Sequence, residues 1–144
     1  MNNSKTVLVC VTAQKSSETL VRAGKTVAER NKAALEVVSV LPIADGKQSF
    51  DPQPLENIYR AAKNQGGEMA VYFSDDPTLT VAAHIAKRKP LTIITGFPGE
   101  NSNEFISVIR MLIPDIPIIM VDGEERLYTM LAGPKSQSSA KKSG

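Results

Sequence analysis

The stretch that decides the fold is residues 91–99, LTIITGFPG. Its first five residues are apolar or β-branched, and the run stops at Gly96, with a second glycine at Gly99. A short apolar run that ends at turn residues is typical of a strand buried on both faces of a parallel sheet. Helical spacing resumes near Asn103, so the stretch predicts a strand, a glycine loop and a helix. Because ligands of open parallel sheets bind beyond the carboxyl ends of the strands, this loop marks the candidate binding site.

Apolar runs and amphipathic segments alternate in both directions from this stretch. The other apolar runs predict strands at 7–11, 35–41, 69–73 and 116–121. Apolar residues at helical spacing predict four helices between the strands, beginning near Ser17, Leu55, Pro77 and Phe105. The sequence therefore predicts an α/β fold, a three-layer αβα sandwich around a five-stranded parallel sheet in the order 3-2-1-4-5.

Length and composition indicate one domain. The chain has 144 residues, of which 42% are hydrophobic and 22% charged, which suffices for a hydrophobic core. We expect the domain to cover residues 1–131, with one further turn over 123–131. A disordered basic tail is predicted over 132–144, because these residues lack apolar periodicity. Residues 42–54 contain three prolines and a glycine and predict a long loop.

Charge and composition argue against nucleic-acid and membrane partners. Without the tail lysines Lys135, Lys141 and Lys142, 14 basic residues face 15 acidic ones, and the chain has no Trp. A basic footprint and an aromatic platform for nucleic acid are therefore missing. No apolar run approaches the roughly 18 residues of a membrane span, and the first residues lack a signal peptide's apolar core. A single Cys fits a reducing compartment, so we expect a cytoplasmic protein.

Residues that could carry catalysis are scarce. His84 is the only histidine and lies inside the third predicted helix, where a packed residue is the simpler interpretation. Cys10 lies in the middle of a strand and is expected to be an inert buried thiol. Asp75 and Asp76 precede Pro77 and are interpreted as candidate helix caps rather than metal ligands. We therefore expect no enzymatic activity and no metal site.

The glycine loop after the fourth strand has the parts of an anion site. It offers backbone amides, the hydroxyl of Ser102 and the N-terminus of a helix. The alternative is a turn in which glycine merely allows the chain to leave a strand. Glu100 and Glu104 would repel a phosphate. The P-loop motif and the dinucleotide motif G-x-G-x-x-G are both absent.

Three segments, 7–40, 74–96 and 114–122, carry a resemblance to a known family. In them the chain resembles universal stress proteins, and is most similar to the domain of this family inside Kdp-type potassium sensor kinases. The resemblance implies the universal stress protein fold, which is of the nucleotide alpha-hydrolase-like type. It also implies a non-catalytic role in stress response or signalling, with weak binding of ATP or AMP and no required cofactor.

The resemblance also indicates which residues would hold a nucleotide. Gly96 and Gly99 match the family's G-x-x-G after the fourth strand. Thr12 stands where nucleotide-binding members have Asp, and the family's later G-[ST] is missing, since Ile109 and Arg110 stand at the expected spacing. The candidate nucleotide-binding residues are Thr12, Ala13, Ser16, Val40, Gly96, Phe97, Gly99, Asn101 and Ser102.

Other functions stay open at this point. One alternative is a regulatory protein-interaction module whose nucleotide site is vestigial. A second is a receptor for a cyclic dinucleotide, although the aromatic motif associated with such binding is absent from residues 35–41. A third is a nucleotide hydrolase of minor activity.

The fifth predicted strand suggests a homodimer. In the order 3-2-1-4-5 it lies at the edge of the sheet, yet it is apolar on both faces. Pairing with a second copy would cover this edge, and universal stress proteins are similar here. The residues expected at the interface are Ile116, Ile118, Ile119, Met120 and Val121. In the alternative, residues 123–131 fold back over the edge within one chain.

Overall fold

The structure of the chain is a computed structural model, and it describes residues 5–11, 17–41, 53–96, 103–122 and 124–130. Strands and helices alternate through these ranges. The strands are β1 (Thr6–Val11), β2 (Ala34–Leu41), β3 (Glu68–Phe73), β4 (Thr92–Gly96), β5 (Ile118–Val121) and β6 (Leu127–Met130). The helices are α1 (Ser17–Arg30), α2 (Gln53–Asn64), α3 (Pro77–Arg88) and α4 (Asn103–Leu112).

The strands form one sheet in the order β3-β2-β1-β4-β5-β6. The first five are parallel to one another, and β6 is antiparallel to β5. The predicted α/β class and the order of the five parallel strands are therefore confirmed. The order reverses direction between β1 and β4, which are sequentially distant but adjacent in the sheet.

Helices cover both faces of the sheet. Because alternate strand residues point to opposite faces, Val9 of β1 packs in the core under α1 and α2, whereas Leu8 packs in the core under α3 and α4. Both side chains are fully buried. This is the predicted three-layer arrangement, with two cores separated by the sheet.

A sixth strand corrects the prediction for the end of the domain. Residues 123–131 were expected to form one turn, but Leu127–Met130 pairs along the whole of β5. The carboxylate of Asp122 closes this hairpin, because its Oδ1 accepts hydrogen bonds from the backbone N–H groups of Glu124 and Arg126. Its Oδ2 accepts from Arg126 Nε and from the hydroxyl of Tyr128.

The prediction that the fifth strand is the open edge of the sheet is wrong. Each residue of β5 has a partner in β4 and another in β6. Ile116 lies before the strand, which begins at Ile118. The alternative, in which the chain folds back over its own edge, describes what the structure shows. An open edge at strand five therefore no longer supports the predicted homodimer, and the oligomeric state itself is untested.

The helix cap predicted before Pro77 is confirmed for Asp76. Its Oδ1 accepts a hydrogen bond from the backbone N–H of Leu79 at 3.2 Å. At the other end of α3, Lys89 adopts a left-handed conformation, and its backbone N–H donates to the carbonyl of Ile85. No helix in the described part of the chain is long and apolar enough to cross a membrane. The predicted tail, 132–144, lies outside the described residues.

Candidate functional site

The carboxyl ends of the parallel strands meet at one edge of the sheet, next to the point where the strand order reverses. Val11 ends β1, Leu41 ends β2 and Gly96 ends β4. From this edge α1 follows β1 on one face, and α4 follows β4 on the other. In open α/β sheets the crevice at such a switch point is where ligands bind. The topology therefore puts the candidate site at the ends of β1, β2 and β4.

Two of the nine predicted site residues lie in the described part of the chain, and both are at this edge. Val40 is the second-last residue of β2, and Gly96 is the last residue of β4. They flank β1 from its two sides. The other seven lie outside the described residues: Thr12, Ala13, Ser16, Phe97, Gly99, Asn101 and Ser102.

Val40 and Gly96 face opposite sides of the sheet. The side chain of Val40 is half-buried against the core under α3 and α4. A Cβ added to Gly96 would instead point toward α1, with Leu20 Cδ1 at 3.8 Å as its nearest neighbour. That distance is an ordinary van der Waals contact, and the φ of Gly96 is not positive. Neither the backbone conformation nor a close neighbour among the described residues therefore requires a glycine at position 96.

A chain of polar side chains lies below the site, between α3 and the sheet, and its two central members, Glu36 and His84, are buried. The Tyr72 hydroxyl is 2.7 Å from His84 Nδ1, and His84 Nε2 is 3.3 Å from Glu36 Oε1. Glu36 Oε2 is also 3.2 Å from an Arg88 guanidinium nitrogen. A neutral His84 satisfies every bond if Tyr72 donates to Nδ1 and Nε2–H donates to Glu36. His84 is buried and packed, as the sequence predicted.

Sequence reasoning overlooked Glu36, although a signal was present. Glu36 is the one charged residue in the apolar run 35–41, and a carboxylate in a buried strand requires a partner. His84 is 48 residues away, and each of the two groups explains the burial of the other. Both ring nitrogens of His84 are hydrogen-bonded within this network. The network therefore resembles a structural link between α3 and the sheet more than a group of catalytic residues.

Cys10 adjoins the same core and is not an activated thiol. Burial is the main cause that raises the pKa of Cys10 to about 12, and the charge of Glu36 adds to it. A thiolate is the reactive form, so this thiol is unreactive at neutral pH. Among the described residues, no three His, Cys, Asp or Glu side chains come together as a metal site.

The chain matches no family model and no curated protein. Solved structures do match its fold. The universal stress protein from Archaeoglobus fulgidus in complex with dAMP is 14% identical, with a TM-score of 0.56, over 75% of this chain and 92% of that one. A universal stress protein in complex with cAMP is 17% identical, with a TM-score of 0.55, over 75% of this chain and 86% of that one.

An enzyme is also among the structures of this fold. GalB, the 4-carboxy-2-hydroxymuconate hydratase from Pseudomonas putida KT2440, is 12% identical, with a TM-score of 0.58. The match covers 81% of this chain but 65% of that enzyme. A shared fold does not fix a function, so catalysis has to be judged from the residues of the site. The comparisons show that this chain has the fold of universal stress proteins.

Proposed function

We propose that this chain is a non-catalytic stress-response or signalling domain that binds an adenine nucleotide, AMP or ATP, at the carboxyl ends of β1, β2 and β4. The observation that carries the proposal is the convergence of Val40 and Gly96 on the switch point of the sheet, where the carboxyl ends of β2 and β4 lie on either side of β1. Two solved universal stress proteins of the same fold are complexes with dAMP and cAMP, which supports this class of ligand.

The position of α4 favours the charge of such a ligand. The helix begins at Asn103, seven residues after the end of β4, and runs back along the sheet to Leu112. Its N-terminus therefore lies at the same edge as Gly96. The unpaired N–H groups and the dipole of a helix N-terminus stabilise a negative charge, such as a nucleotide phosphate. In this proposal the phosphate faces α4, and the base and ribose lie near β1 and β2.

The absence of catalysis is part of the proposal. His84 and Glu36 are buried and hydrogen-bonded to each other, and Tyr72 is bonded to the same ring. Cys10 is fully protonated at neutral pH, given a pKa of about 12. These described groups supply neither a free base nor an activated nucleophile. We also propose a cytoplasmic location, which the single Cys supports, and, from the sequence resemblance, a likeness to the domain of Kdp-type sensor kinases.

Calorimetric titration of the full chain with AMP, ATP, cAMP and cyclic di-AMP tests the proposal, with nucleotide turnover measured on the same sample. We expect AMP or ATP to bind without turnover. Gly96→Val should weaken binding at least about ten-fold, because it adds a branched side chain where the proposed ligand would approach the backbone at the end of β4. Ala86→Val is the matched control, since Ala86 is exposed on α3 and distant from the carboxyl ends of the strands.

Each alternative gives a different result in the same titrations. Preference for cyclic di-AMP would favour the cyclic-dinucleotide receptor, and hydrolysis of ATP would favour the minor hydrolase. If no nucleotide binds, the chain is better described as an interaction module with a vestigial site. An affinity that Gly96→Val leaves unchanged would contradict the placement of the ligand at the end of β4.

A further inference from the structure

The amino ends of the strands form a basic surface at the end of the sheet opposite the candidate site. The four helices finish there, and each carries a basic residue in its last turn. At the other end, Glu18 and Glu56 lie in the first turns of α1 and α2, and Asp76 caps α3. The near-neutral charge of the chain without its tail therefore hides a separation of charge along the strands. The described basic residues at the amino ends are Lys5, Arg30, Lys32, Lys63, Lys87, Arg88, Lys89 and Arg110.

Three of these lysines stand side by side, one before each of three neighbouring strands. Lys32 precedes β2, Lys5 precedes β1 and Lys89 precedes β4. The backbone N–H of Ala34 donates to the carbonyl of Lys5 at 2.8 Å, and the N–H of Leu91 donates to the first carbonyl of β1 at 2.7 Å. These bonds hold the three strand ends together at the usual spacing of about 4.8 Å. We call Lys32, Lys5 and Lys89 the lysine row.

The charges of the lysine row are not neutralised within the described part of the chain. All three lysines are exposed, and none of them forms an ion pair with another described residue. Like charges on adjacent strand ends repel one another, so the row as it stands is unfavourable for the isolated domain.

Two members of the row also have a backbone conformation that disfavours lysine. The φ angles of Lys32 and Lys89 are 53° and 51°, in the left-handed region that glycine adopts without a steric penalty. The end of α2 shows the alternative, because Gly66 stands there with a φ of 75°. The N–H groups of Lys32 and Gly66 each donate to the carbonyl three residues earlier, so the two helices end in the same way.

The helix ends do not by themselves require these two lysines. A positive charge in the last turn of a helix is favourable for the helix dipole, but Arg30 supplies it in α1 and Lys87 in α3. A backbone strain that persists where glycine would relieve it is a reason to look for a function of the side chain. We therefore looked for what the lysine row could bind.

Acidic residues lie on both sides of the lysine row. Glu68 is the first residue of β3, next to β2, and Asp115 lies between α4 and β5, next to β4. Both are exposed. Across the five parallel strands the order of charges is therefore negative, three times positive, and negative. Leu91, beside Lys89, adds an exposed apolar side chain to this pattern.

We propose that the lysine row is the docking surface for an acidic segment of another protein, with carboxylates at alternate positions and apolar residues among them. In an extended segment alternate side chains lie about 7 Å apart on one face. Lysine side chains are long and flexible, so such a segment, lying across the strand ends, brings successive carboxylates to successive lysines. The apolar residues of the segment contact Leu91. The lysine row is at the opposite end from the candidate site, so this inference does not depend on nucleotide binding.

The flanking carboxylates favour a protein segment over other anionic partners. An anionic membrane surface and a nucleic-acid backbone both carry negative charge continuously. Either would meet Glu68 and Asp115 as well as the lysine row, and like charges would repel it there. A protein segment carries its carboxylates at discrete positions and can match three lysines between two acidic residues.

NMR titration of the isotope-labelled full chain tests this proposal. The probe is a capped nine-residue peptide with glutamate at its third, fifth and seventh positions, leucine at its second and eighth, and serine elsewhere. We expect the amides at the lysine row to shift with one dissociation constant, which rises with salt. Lys32→Gly and Lys89→Gly should each raise this constant roughly two- to five-fold, as expected for one exposed ion pair. Their melting temperatures should not fall, because glycine suits the left-handed conformation.

Arg22→Gln is the matched control, since it also removes one positive charge but lies on the first half of α1, and it should leave the dissociation constant unchanged. Lys32→Gly combined with Lys89→Gly should raise the constant at least about four-fold. A combined variant within two-fold of wild type, or a wild type whose row does not shift, would overturn the proposal. Lower melting temperatures of the glycine variants would also overturn it, because the lysines would then serve their own helices.

Three further measurements exclude other occupants. A peptide with glutamine in place of glutamate should not bind, and equal binding would show that charge is not recognised. Stronger binding to phosphatidylserine vesicles or to a twelve-nucleotide RNA than to the peptide would overturn the proposal in favour of a continuous polyanion. Self-association at low salt that the combined variant abolishes would make a second copy of this chain the occupant, which would overturn it as well.

Discussion

His84 Nε2 lies 3.3 Å from Glu36 Oε1, and this contact joins α3 to β2 across 48 residues of the chain. Both side chains are almost completely buried. The contact defines how α3 lies on the sheet, since Tyr72 of β3 binds the other nitrogen of the same ring. The polar network therefore specifies the packing of a helix whose other inward residues, such as Val81 and Ile85, are apolar.

The first prediction is that His84→Leu destabilises the fold. Leucine fills much of the same volume but leaves the half-buried Tyr72 hydroxyl without its partner and the Glu36 carboxylate with Arg88 as its remaining partner among the described residues. A buried polar group that loses its partner costs about 1–3 kcal/mol, so we expect the free energy of unfolding to fall by about 1–3 kcal/mol. Urea unfolding measures it, with Ala83→Leu on the exposed side of α3 as the control. A change below about 0.5 kcal/mol would show that the network is energetically neutral.

The second prediction concerns the close approach of α1 to β1. A Cβ added to Gly24 would lie 2.3 Å from Val9 Cγ2 and 3.1 Å from Leu35 Cδ1, and both side chains are buried. Overpacking costs about 1–3 kcal/mol and exceeds the gain of roughly 1 kcal/mol in helix propensity. We expect Gly24→Ala to lower the free energy of unfolding by about 1–2 kcal/mol.

Gly96→Ala is the matched control, because its added Cβ meets only an ordinary contact at 3.8 Å. It should change the free energy of unfolding by less than about 0.5 kcal/mol. Adding Val9→Ala to Gly24→Ala should cost less than the two single changes together, since the shorter side chain removes the clash. Additive costs would mean that the helix moves away from the strand instead.

The third prediction is a pH dependence in the hairpin between β5 and β6. The backbone N–H of Arg126 is the main cause that lowers the pKa of Asp122 from 3.8 to about 2, and the N–H of Glu124, the Arg126 side chain and the Tyr128 hydroxyl add to it. Because the pKa is lower in the folded state, the carboxylate stabilises the hairpin fully above pH 3.8. This contribution is lost as the pH falls through about 2.

NMR titration of the Asp122 carboxyl carbon and of the β6 amides measures this effect. The amide shifts of β6 should move with the same midpoint as the carboxyl carbon. Asp122→Asn should remove that transition, because the amide does not ionise in this range. A midpoint near 3.8 for Asp122 would contradict the hydrogen bonds that the structure shows.

The sequence was sufficient to predict the parallel part of the fold, because the signal for each of its strands lies within the strand's own residues. Each strand from β1 to β5 is a nearly continuous apolar run, and the order follows from the handedness of the connections. β6 could not be predicted in this way. Its four residues, LYTM, are too few to stand out as an apolar run of the kind that predicts a strand. Their hairpin with β5 is held by hydrogen bonds that the Arg126 N–H and the Tyr128 hydroxyl donate to the Asp122 carboxylate.

The carboxyl ends of parallel strands are recognisable from sequence, and Val40 and Gly96 do lie at the ends of β2 and β4. That they bind a ligand stays a prediction. Glu36 and His84 were each visible, but their contact depends on the packing of α3 on the sheet.

The last prediction concerns the oligomeric state, which depends on the strand at the edge of the sheet. β5 is apolar on both faces, but its outer edge is occupied by β6. A homodimer through strand five therefore requires that β6 leave β5. We expect the wild-type chain to sediment as a monomer at micromolar concentration, because an edge that is already paired cannot pair with a second copy.

Asp122→Ala removes the acceptor of four hydrogen bonds in the hairpin and should release β6 from the edge. The exposed β5 should then pair with its copy about a two-fold axis, so the variant should sediment as a dimer. Glu124→Ala is the control, because it removes only an exposed ion pair with Arg126, and it should remain a monomer. A wild-type dimer that also survives Ile119→Lys would place the interface away from β5. A monomeric Asp122→Ala whose β6 amides exchange rapidly with solvent would show that an open β5 edge is not enough to drive dimerisation.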